Sequence, residues 1–235
     1  MATVEKNAYK VLFFDLDHTL WDYNTSARET LEDLYQEYLF GHAQFTFDSF
    51  LDTFHKVNQQ LWHQYNKGQI DKDQIRDKRF DQILNKLNFN DIDLSSHIST
   101  KYLFECPRKP NLIPKTLEVL DVLKEKYQMH ILTNGFDDVQ AIKLESSKIH
   151  GYFNKVITSD GCGYKKPDPL FFHHALKACN CSVDESLMIG DNLKTDISGA
   201  LGVGIDTVYY NASKNGRPHK STYEIDCLSQ LLQIV

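Results

Sequence analysis

Apolar residues follow two different patterns along this chain. Residues 10–14 form a short, almost wholly apolar run, which is typical of a central parallel strand covered on both faces. Beyond residue 117, further short apolar runs alternate with segments of helical period. Such alternation predicts a parallel β-sheet wrapped by helices on both faces. The predicted later strands are 129–132, 155–158, 187–189 and 207–210, and the predicted helices are 117–127, 137–149, 169–178, 197–201 and 228–234.

The interval between residues 22 and 106 has helical period throughout and offers no candidate strand. Ser26 and Glu29 have the spacing of a capping box, so a first helix is expected to begin there. A second helix carries large apolar residues between Phe47 and Trp62, which predicts an aromatic core. A third helix is expected to begin at Asp71 and a fourth to span 94–105.

Together the two patterns predict an α/β protein with a doubly wound, Rossmann-like parallel sheet. An all-helical domain interrupts this core directly after its first strand. We expect the sheet domain to comprise residues 1–21 and 107–235, and the helical domain residues 22–106. A chain of 235 residues is long enough to bury a core of this kind.

Charge and composition narrow the classes of partner. The sequence is 41% hydrophobic and 25% charged with a formal net charge of −6, which disfavours a basic groove for a nucleic-acid polymer. The N-terminal segment lacks the apolar core of a signal peptide, and no apolar run is long enough to span a bilayer. The cysteines form no Cys-x-x-Cys pair, as in proteins whose thiols stay reduced. We therefore expect a cytoplasmic protein without a membrane or nucleic-acid partner; nothing in the sequence indicates an oligomeric state.

Four polar motifs follow predicted strands. They are Asp15 with Asp17, Thr133-Asn134-Gly135, Lys166-Pro167, and Gly190-Asp191 with Asp196. Each motif alone is common, because Asp-x-Asp and Thr-Asn-Gly occur in ordinary turns and Lys-Pro-Asp-Pro occurs in loops before helices. The carboxyl ends of parallel strands, however, lie at one edge of a sheet, so all four motifs can converge. Their joint placement indicates one phosphate-cleaving site.

Asp15 is the candidate nucleophile, because an aspartate is ionised at pH 7 and can attack phosphorus without a base. A carboxylate that approaches a phosphate dianion is repelled, and Mg²⁺ offsets the repulsion while needing only one or two carboxylates. We expect Asp15 and Asp191 to bind Mg²⁺, with the backbone carbonyl of Asp17 as a further ligand. Asp196 is expected either to support the water shell of the metal or to orient Lys166.

Asp17 is the candidate acid and base. A second carboxylate beside an anionic cluster is expected to have a raised pKa, so that it can protonate the leaving oxygen and later accept a proton from water. The hydroxyl of Thr133, the amide of Asn134 and the ammonium of Lys166 are expected to bind the phosphoryl oxygens that gain charge in transit. With Gly135 they form the expected phosphate-binding set.

The four motifs resemble those of the haloacid dehalogenase (HAD) superfamily, and the likeness covers essentially the whole chain. The helical insertion is similar to the small helical (C1-type) cap of that superfamily. Dehalogenases of the superfamily lack the second aspartate, so Asp17 indicates a phosphatase. By position, the resemblance implies these roles: nucleophile Asp15, acid/base Asp17, phosphate ligands Thr133 and Lys166, and magnesium ligand Asp191.

A closer likeness is to the bacterial noncanonical pyrimidine 5′-nucleotidases, carried by residues 13–22, 132–136 and 206–211. It implies a Mg²⁺-dependent phosphomonoesterase that hydrolyses small phosphorylated metabolites, above all pyrimidine nucleoside 5′-monophosphates, through an aspartyl-phosphate. The loop before Lys166 departs from the more apolar loop of relatives and contains a second lysine, Lys165. Position directly before proline favours Lys166 as the functional one.

Three alternatives stay open from the sequence. The first is a sugar-phosphate phosphatase. The second is a phosphosugar mutase of the same superfamily, similar to phosphoglucomutase, which would need a bisphosphate for activity. The third is a receiver-like signalling protein, which also uses clustered aspartates, a hydroxyl and a lysine; the helical insertion argues against it. Substrate specificity is expected to reside in the inserted domain near residues 65–70, and at Trp21.

Overall fold

The computed structural model describes residues 9–41, 44–214, 216 and 220–235. The chain divides into two compact units, one formed by Asn24–Lys109 and the other by Met1–Tyr23 with Pro110–Val235. Four α-helices make up most of the described part of the first unit: α1 (Tyr23–Tyr38), α2 (Phe47–Asn66), α3 (Lys72–Lys86) and α4 (Ile92–Glu105).

Two of these helices test the predicted starts. Asp71 and Gln74 form a capping box at the start of α3, where the Asp71 carboxylate accepts the N–H of Gln74 at 2.8 Å, which confirms the predicted start. The predicted capping box at Ser26 and Glu29 is wrong, because α1 begins at Tyr23 and Ser26 lies buried inside it. The Ser-x-x-Glu spacing also arises within helices, and the small Ser26 side chain fits on the buried face.

Aromatic rings fill the interior of the helical unit. Phe50 and Phe54 of α2 lie 6.5 and 6.1 Å, centroid to centroid, from Phe80 of α3. Tyr102 of α4 lies 5.3 Å from both Phe54 and Phe80. These separations are typical of packed aromatic pairs. The predicted core packing of the aromatic residues of the second helix is confirmed.

The second unit is built on a six-stranded sheet in which every neighbouring pair of strands is parallel. The strand order is β3-β2-β1-β4-β5-β6, the Rossmann-like order in which the direction of winding reverses between β1 and β4. The predicted fold class is confirmed. The strands are β1 (Val11–Phe14), β2 (Gln128–Thr133), β3 (Lys155–Thr158), β4 (Ser186–Gly190), β5 (Asp206–Tyr210) and β6 (Tyr223–Ile225).

The register aligns the ends of the central strands. Phe14, the last residue of β1, pairs with Ile131 of β2 and with Ile189 of β4. The residues that follow these positions therefore emerge at the same edge of the sheet. The α-helices of this unit are α5 (Thr116–Leu123), α6 (Asp137–Ser146), α7 (Ser159–Cys162), α8 (Pro169–Cys179) and α9 (Ser198–Gly202).

Several elements differ from the predictions. Residues 228–234 were expected to form a helix, but Leu228–Gln233 is a 3₁₀-helix. The expected helix at 197–201 is a π-helical turn, Leu193–Ile197, followed by the short α9. Strand β6 was not predicted, because three residues at a sheet edge are too few to show a period.

His130 is an exception within the apolar interior of β2. Its side chain is buried beside the ring of Phe13, with centroids 5.8 Å apart. Neither ring nitrogen has a hydrogen-bond partner among the residues that the structure describes. Burial, with a smaller contribution from nearby Lys155, lowers the pKa of His130 from 6.5 to about 4. This histidine is therefore neutral in the folded protein at pH 7.

A search of the described helices finds none with both the length and the apolar character needed to cross a membrane.

Candidate active site

The chain turns sharply after β1. The carbonyl of Leu16 accepts the N–H groups of Leu20 and Trp21, each at 2.9 Å. His18 has a φ of 66°, in the left-handed region that single residues of tight turns occupy. The turn closes where His18 donates its N–H to the carbonyl of Trp21 at 2.9 Å. Asp15 and Asp17 are thus held on a short loop, closed by backbone hydrogen bonds, at the carboxyl end of the central strand.

Lys166 is the centre of a buried charge cluster. Its Nζ lies 2.6 Å from Oδ1 of Asp15 and 2.7 Å from Oδ1 of Asp196, and it also donates to the carbonyl of Leu132 at 2.7 Å. Burial disfavours the charged lysine, but the two carboxylates outweigh it and raise the pKa of Lys166. The ammonium is therefore fixed beside the predicted nucleophile. Asp196 contacts it directly, as in the second of the two roles expected for that residue.

The Thr133-Asn134-Gly135 motif supports this arrangement at the end of β2. The side chain of Asn134 donates to the carbonyl of Lys166 at 2.9 Å and accepts the N–H of the same residue at 2.8 Å. The Asn134 amide, expected to bind phosphoryl oxygens, thus also ties the lysine loop to β2. The buried Thr133 hydroxyl accepts the N–H of Gly135 at 3.0 Å. Phosphate binding by Thr133 and Asn134 stays a prediction.

Three carboxylates are close enough to share one cation. Single carboxylate oxygens of Asp15, Asp191 and Asp196 all lie within 4.8 Å of one another. Asp191 also accepts a 3.4 Å hydrogen bond from the hydroxyl of Thr19. A set of oxygen donors suits a hard ion such as Mg²⁺. The expected metal ligands Asp15 and Asp191 are therefore together, and the carboxylate of Asp196 joins them. Metal binding by the backbone carbonyl of Asp17 stays a prediction.

Electrostatics also favour a cation at this cluster. Burial, opposed by Lys166 and reinforced by Asp196, raises the pKa of Asp15 to about 7. Burial, reinforced by Asp15 and Asp196, raises the pKa of Asp191 well above its ordinary value. The expectation that Asp15 is ionised at pH 7 thus holds only in part for the protein alone. A divalent cation between these groups would favour their charged forms, so the donor set fits Mg²⁺.

The side chain of Asp17 lies in a separate environment. Lys143 Nζ is 2.6 Å from its Oδ1 and 2.8 Å from its Oδ2, and Gln140 Nε2 donates to Oδ2 at 3.1 Å. Burial raises the pKa of Asp17, but the Lys143 ammonium and the Gln140 amide outweigh it, so the net shift is downward. The expected upward shift of the Asp17 pKa is therefore wrong for the protein alone. The cause is the ammonium group of Lys143, a residue that the sequence analysis did not place in the site.

Gln140 and Lys143 were missed by the sequence analysis. They lie three residues apart on α6, the helix that follows Thr133-Asn134-Gly135, and the buried positions of that helix are Gln140, Lys143 and Leu144. Positions three and four residues apart share one face of a helix. Two long polar residues on the same face as a buried leucine were the available signal, which the sequence analysis did not use.

The comparisons with known proteins agree with this geometry. A family model for haloacid dehalogenase-like hydrolases matches residues 9–204. The pyrimidine 5′-nucleotidase PynA of Streptococcus pneumoniae is 31% identical over 228 residues, 95% of this chain and 94% of that protein. The pyrimidine 5′-nucleotidase YjjG of Escherichia coli is 28% identical over 227 residues, 95% of this chain and 96% of that protein.

A solved structure is similar over nearly its whole length. The putative HAD-hydrolase YfnB of Bacillus subtilis, bound to magnesium, superposes with a TM-score of 0.86 at 26% identity, covering 97% of this chain and 98% of that one. The family match, the fold and the clustered aspartates at the carboxyl edge of the sheet agree. This chain belongs to the haloacid dehalogenase-like hydrolases.

Proposed function

We propose that this protein is a Mg²⁺-dependent phosphomonoesterase that hydrolyses nucleoside 5′-monophosphates, with a preference for pyrimidines, through an aspartyl-phosphate on Asp15. One observation carries the chemistry: Asp15 and Asp17 are each paired with a different buried lysine, Lys166 and Lys143. Two carboxylates in two environments are suited to two roles. The similarity to PynA and YjjG supports the substrate class.

In the first half of the reaction, an oxygen of Asp15 attacks phosphorus while the bond from phosphorus to the leaving oxygen breaks. Lys166, already beside Asp15, stabilises the negative charge of the transferring group. Asp17 gives a proton to the leaving oxygen, so that the nucleoside departs as a neutral alcohol. The approach of a phosphate dianion disfavours the carboxylate form of Asp17, which counteracts the effect of Lys143.

In the second half, water attacks phosphorus and Asp17 accepts its proton. The bond between phosphorus and Asp15 breaks, so inorganic phosphate leaves and both aspartates return to their starting forms. Lys143 favours the carboxylate form of Asp17 that this step requires. Asp15, Asp191 and Asp196 are placed to hold Mg²⁺, which when bound supplies positive charge that offsets the repulsion between carboxylate and phosphate.

The test is phosphate release from a panel of ribo- and deoxyribonucleoside monophosphates, sugar phosphates and a sugar bisphosphate, with Mg²⁺ and with excess chelator. The proposal expects metal-dependent release, fastest from pyrimidine monophosphates. Asp15→Asn should abolish it, while Asp184→Asn, which changes an exposed aspartate, should not. Faster phosphate release from a sugar phosphate than from any nucleotide would support the proposed reaction but contradict the proposed substrate class.

Two other results would contradict the proposed hydrolysis itself. Isomerised sugar phosphate without free phosphate would identify a mutase. A long-lived aspartyl-phosphate without turnover would identify a phospho-acceptor of the signalling kind.

A further inference from the structure

Lys143 binds the carboxylate of Asp17 through two hydrogen bonds. Its Nζ lies 2.6 Å from Oδ1 and 2.8 Å from Oδ2, so one ammonium spans both oxygens. The Lys143 side chain is only 6% exposed. Gln140 Nε2 adds a third hydrogen bond, at 3.1 Å to Oδ2. The carboxylate of Asp17 is therefore restrained about its side-chain torsions, because rotation would break these contacts together.

Trp21 restrains Lys143 in turn. The Nζ of Lys143 lies 4.5 Å from the ring centroid of Trp21, within the range of a cation–π contact. The indole is fully buried, at 0% exposure, and its backbone closes the turn that carries Asp17. Trp21, which the sequence analysis placed among candidate specificity residues, thus contacts the lysine that holds the acid/base aspartate.

Gly135 makes room for the third contact. A Cβ built on Gly135 would lie 1.5 Å from Nε2 of Gln140, so any larger residue would displace this amide. The Oε1 of Gln140 is buried without a hydrogen-bond partner among the described residues, although Nε2 is used. Burying a half-satisfied amide is unfavourable for folding. The hydrogen bond to Asp17 is the contact that this buried amide makes in the described structure.

We propose that Lys143 is a positioning residue, which acts through Asp17 by holding its carboxylate in the orientation needed for proton transfer. Gln140 and Trp21 support it. This inference rests on the proposed function, because it assigns a task to the proton-transfer step of that reaction. Lys143 is distinct from Lys166, which contacts Asp15 and not Asp17 in the set of ion pairs that the described residues form.

The role predicts a dependence on the leaving group. An alcohol such as a nucleoside needs a proton as it leaves, whereas p-nitrophenolate departs as a stable anion and needs none. Removal of the Lys143 ammonium should therefore slow phosphoryl transfer from a nucleotide much more than from p-nitrophenyl phosphate. Hydrolysis of the aspartyl-phosphate needs Asp17 as a base with either substrate, so it should become slow with both.

The experiment measures rapid-mixing kinetics of the wild type, Lys143→Met and Lys143→Arg, each with a pyrimidine monophosphate and with p-nitrophenyl phosphate, in saturating Mg²⁺. General acid–base catalysis contributes roughly 10²- to 10⁴-fold, so loss of positioning should cost about 10- to 100-fold in phosphoryl transfer from the nucleotide. For Lys143→Met with the aryl ester we expect a burst of nitrophenolate, at most one equivalent per enzyme, and then slow turnover. Lys143→Arg should recover most of the nucleotide rate.

Three comparisons make the outcome decisive. A folding defect lowers the fraction of active enzyme and so reduces the observed rates with both substrates by the same factor. The ratio of the two rates then stays unchanged. Lys177→Met, which changes an exposed lysine of α8, should resemble the wild type. In an Asp17→Asn background, Lys143→Met should have little further effect, because the two residues act in one step.

The role of Lys143 would be overturned by three results together. They are an equal loss of phosphoryl-transfer rate with both substrates, no burst of nitrophenolate, and effects of Lys143→Met and Asp17→Asn that are fully additive. These results would leave the proposed function intact if the wild type still releases phosphate. Failure of the wild type to release phosphate from any substrate would instead overturn the proposed function.

Discussion

The backbone of Gly190 and the side chain of Asp196 are in direct contact, and only a glycine allows it. A Cβ built on Gly190 would lie 2.4 Å from Oδ2 and 2.7 Å from Cβ of Asp196. The same carboxylate accepts the N–H of Asn192 at 3.1 Å and contacts Lys166. The absence of a side chain at Gly190 therefore leaves room for the Asp196 carboxylate, which contacts the lysine beside the proposed nucleophile Asp15.

Gly190→Ala should displace Asp196 and with it Lys166. We expect kcat/KM for phosphate release to fall at least about tenfold, and the Mg²⁺ concentration for half-maximal rate to rise. Steady-state rates across a magnesium titration measure both. Gly202→Ala is the matched control, because nothing lies within 4 Å of the added atom, and it should leave both values unchanged. Equal behaviour of the two variants would contradict the importance of this contact.

The two neighbouring lysines should behave differently on replacement. Lys166 is 1% exposed and contacts Asp15 and Asp196, whereas Lys165 is half-buried. Lys166→Ala removes a charge that stabilises the transferring group, which typically costs 10²- to 10³-fold in kcat. Lys165→Ala should cost roughly tenfold or less. Rates for both variants under saturating Mg²⁺ decide between them, and the reverse ranking would identify Lys165 as the functional residue.

Magnesium should stabilise the folded protein independently of any substrate. At a concentration of about 100 times Kd, binding to the folded state alone adds roughly 2.7 kcal/mol to the free energy of unfolding. Asp191→Asn should raise the melting temperature without magnesium, since burial and neighbouring carboxylates disfavour the charged Asp191, and should shrink the magnesium-induced shift. Thermal unfolding with and without Mg²⁺ measures this. Asp184→Asn, at an exposed position, should keep the wild-type shift.

His130 should make the protein less stable in acid. Its pKa is lowered from 6.5 to about 4, so as the pH falls below 6.5 the unfolded chain binds a proton that the folded chain does not. Stability is therefore lost as pH falls between about 6.5 and 4, by on the order of 2 kcal/mol from this residue at pH 4.5.

Replacing this histidine should remove that dependence. His130→Leu is expected to lose less stability than the wild type between pH 7 and pH 4.5, as measured by urea unfolding at the two pH values. His150→Leu, at an exposed position, should retain the wild-type difference. An unchanged pH dependence in His130→Leu would show that the buried ring does not titrate with a lowered pKa.

Local patterns predicted the elements of the fold well where burial follows the period of the element. The apolar run at 10–14 identified β1, and the helix expected to begin at Asp71 is α3. The edge strand β6 was not recognised, and the helix expected near Leu228–Gln233 is a 3₁₀-helix, because short elements owe their conformation to neighbours in space. The strand order also depends on pairing between segments that are distant in the chain, so no short stretch of sequence contains the information that sets it.

The candidate site was predictable as far as its motifs lie at strand ends. Asp15, Asp191 and Lys166 are together, as the parallel sheet requires. The partners of Asp17 were not predictable in this way, because Gln140 and Lys143 lie on a helix and resemble solvent-facing polar residues. The error in the direction of the Asp17 pKa followed directly from the missing lysine.

The central position of β1 has a consequence for how the protein is made. Asp15 and Lys166 are 151 positions apart, and Asp17 and Lys143 are 126 apart, so each pairing closes a very long loop. Strand β1 is synthesised first, and it can be enclosed in the sheet only after its neighbours β2 and β4 have been synthesised. The two aspartates are thus synthesised well before the lysines with which they pair. The charge pairs of the site can therefore form only after most of the chain has been synthesised.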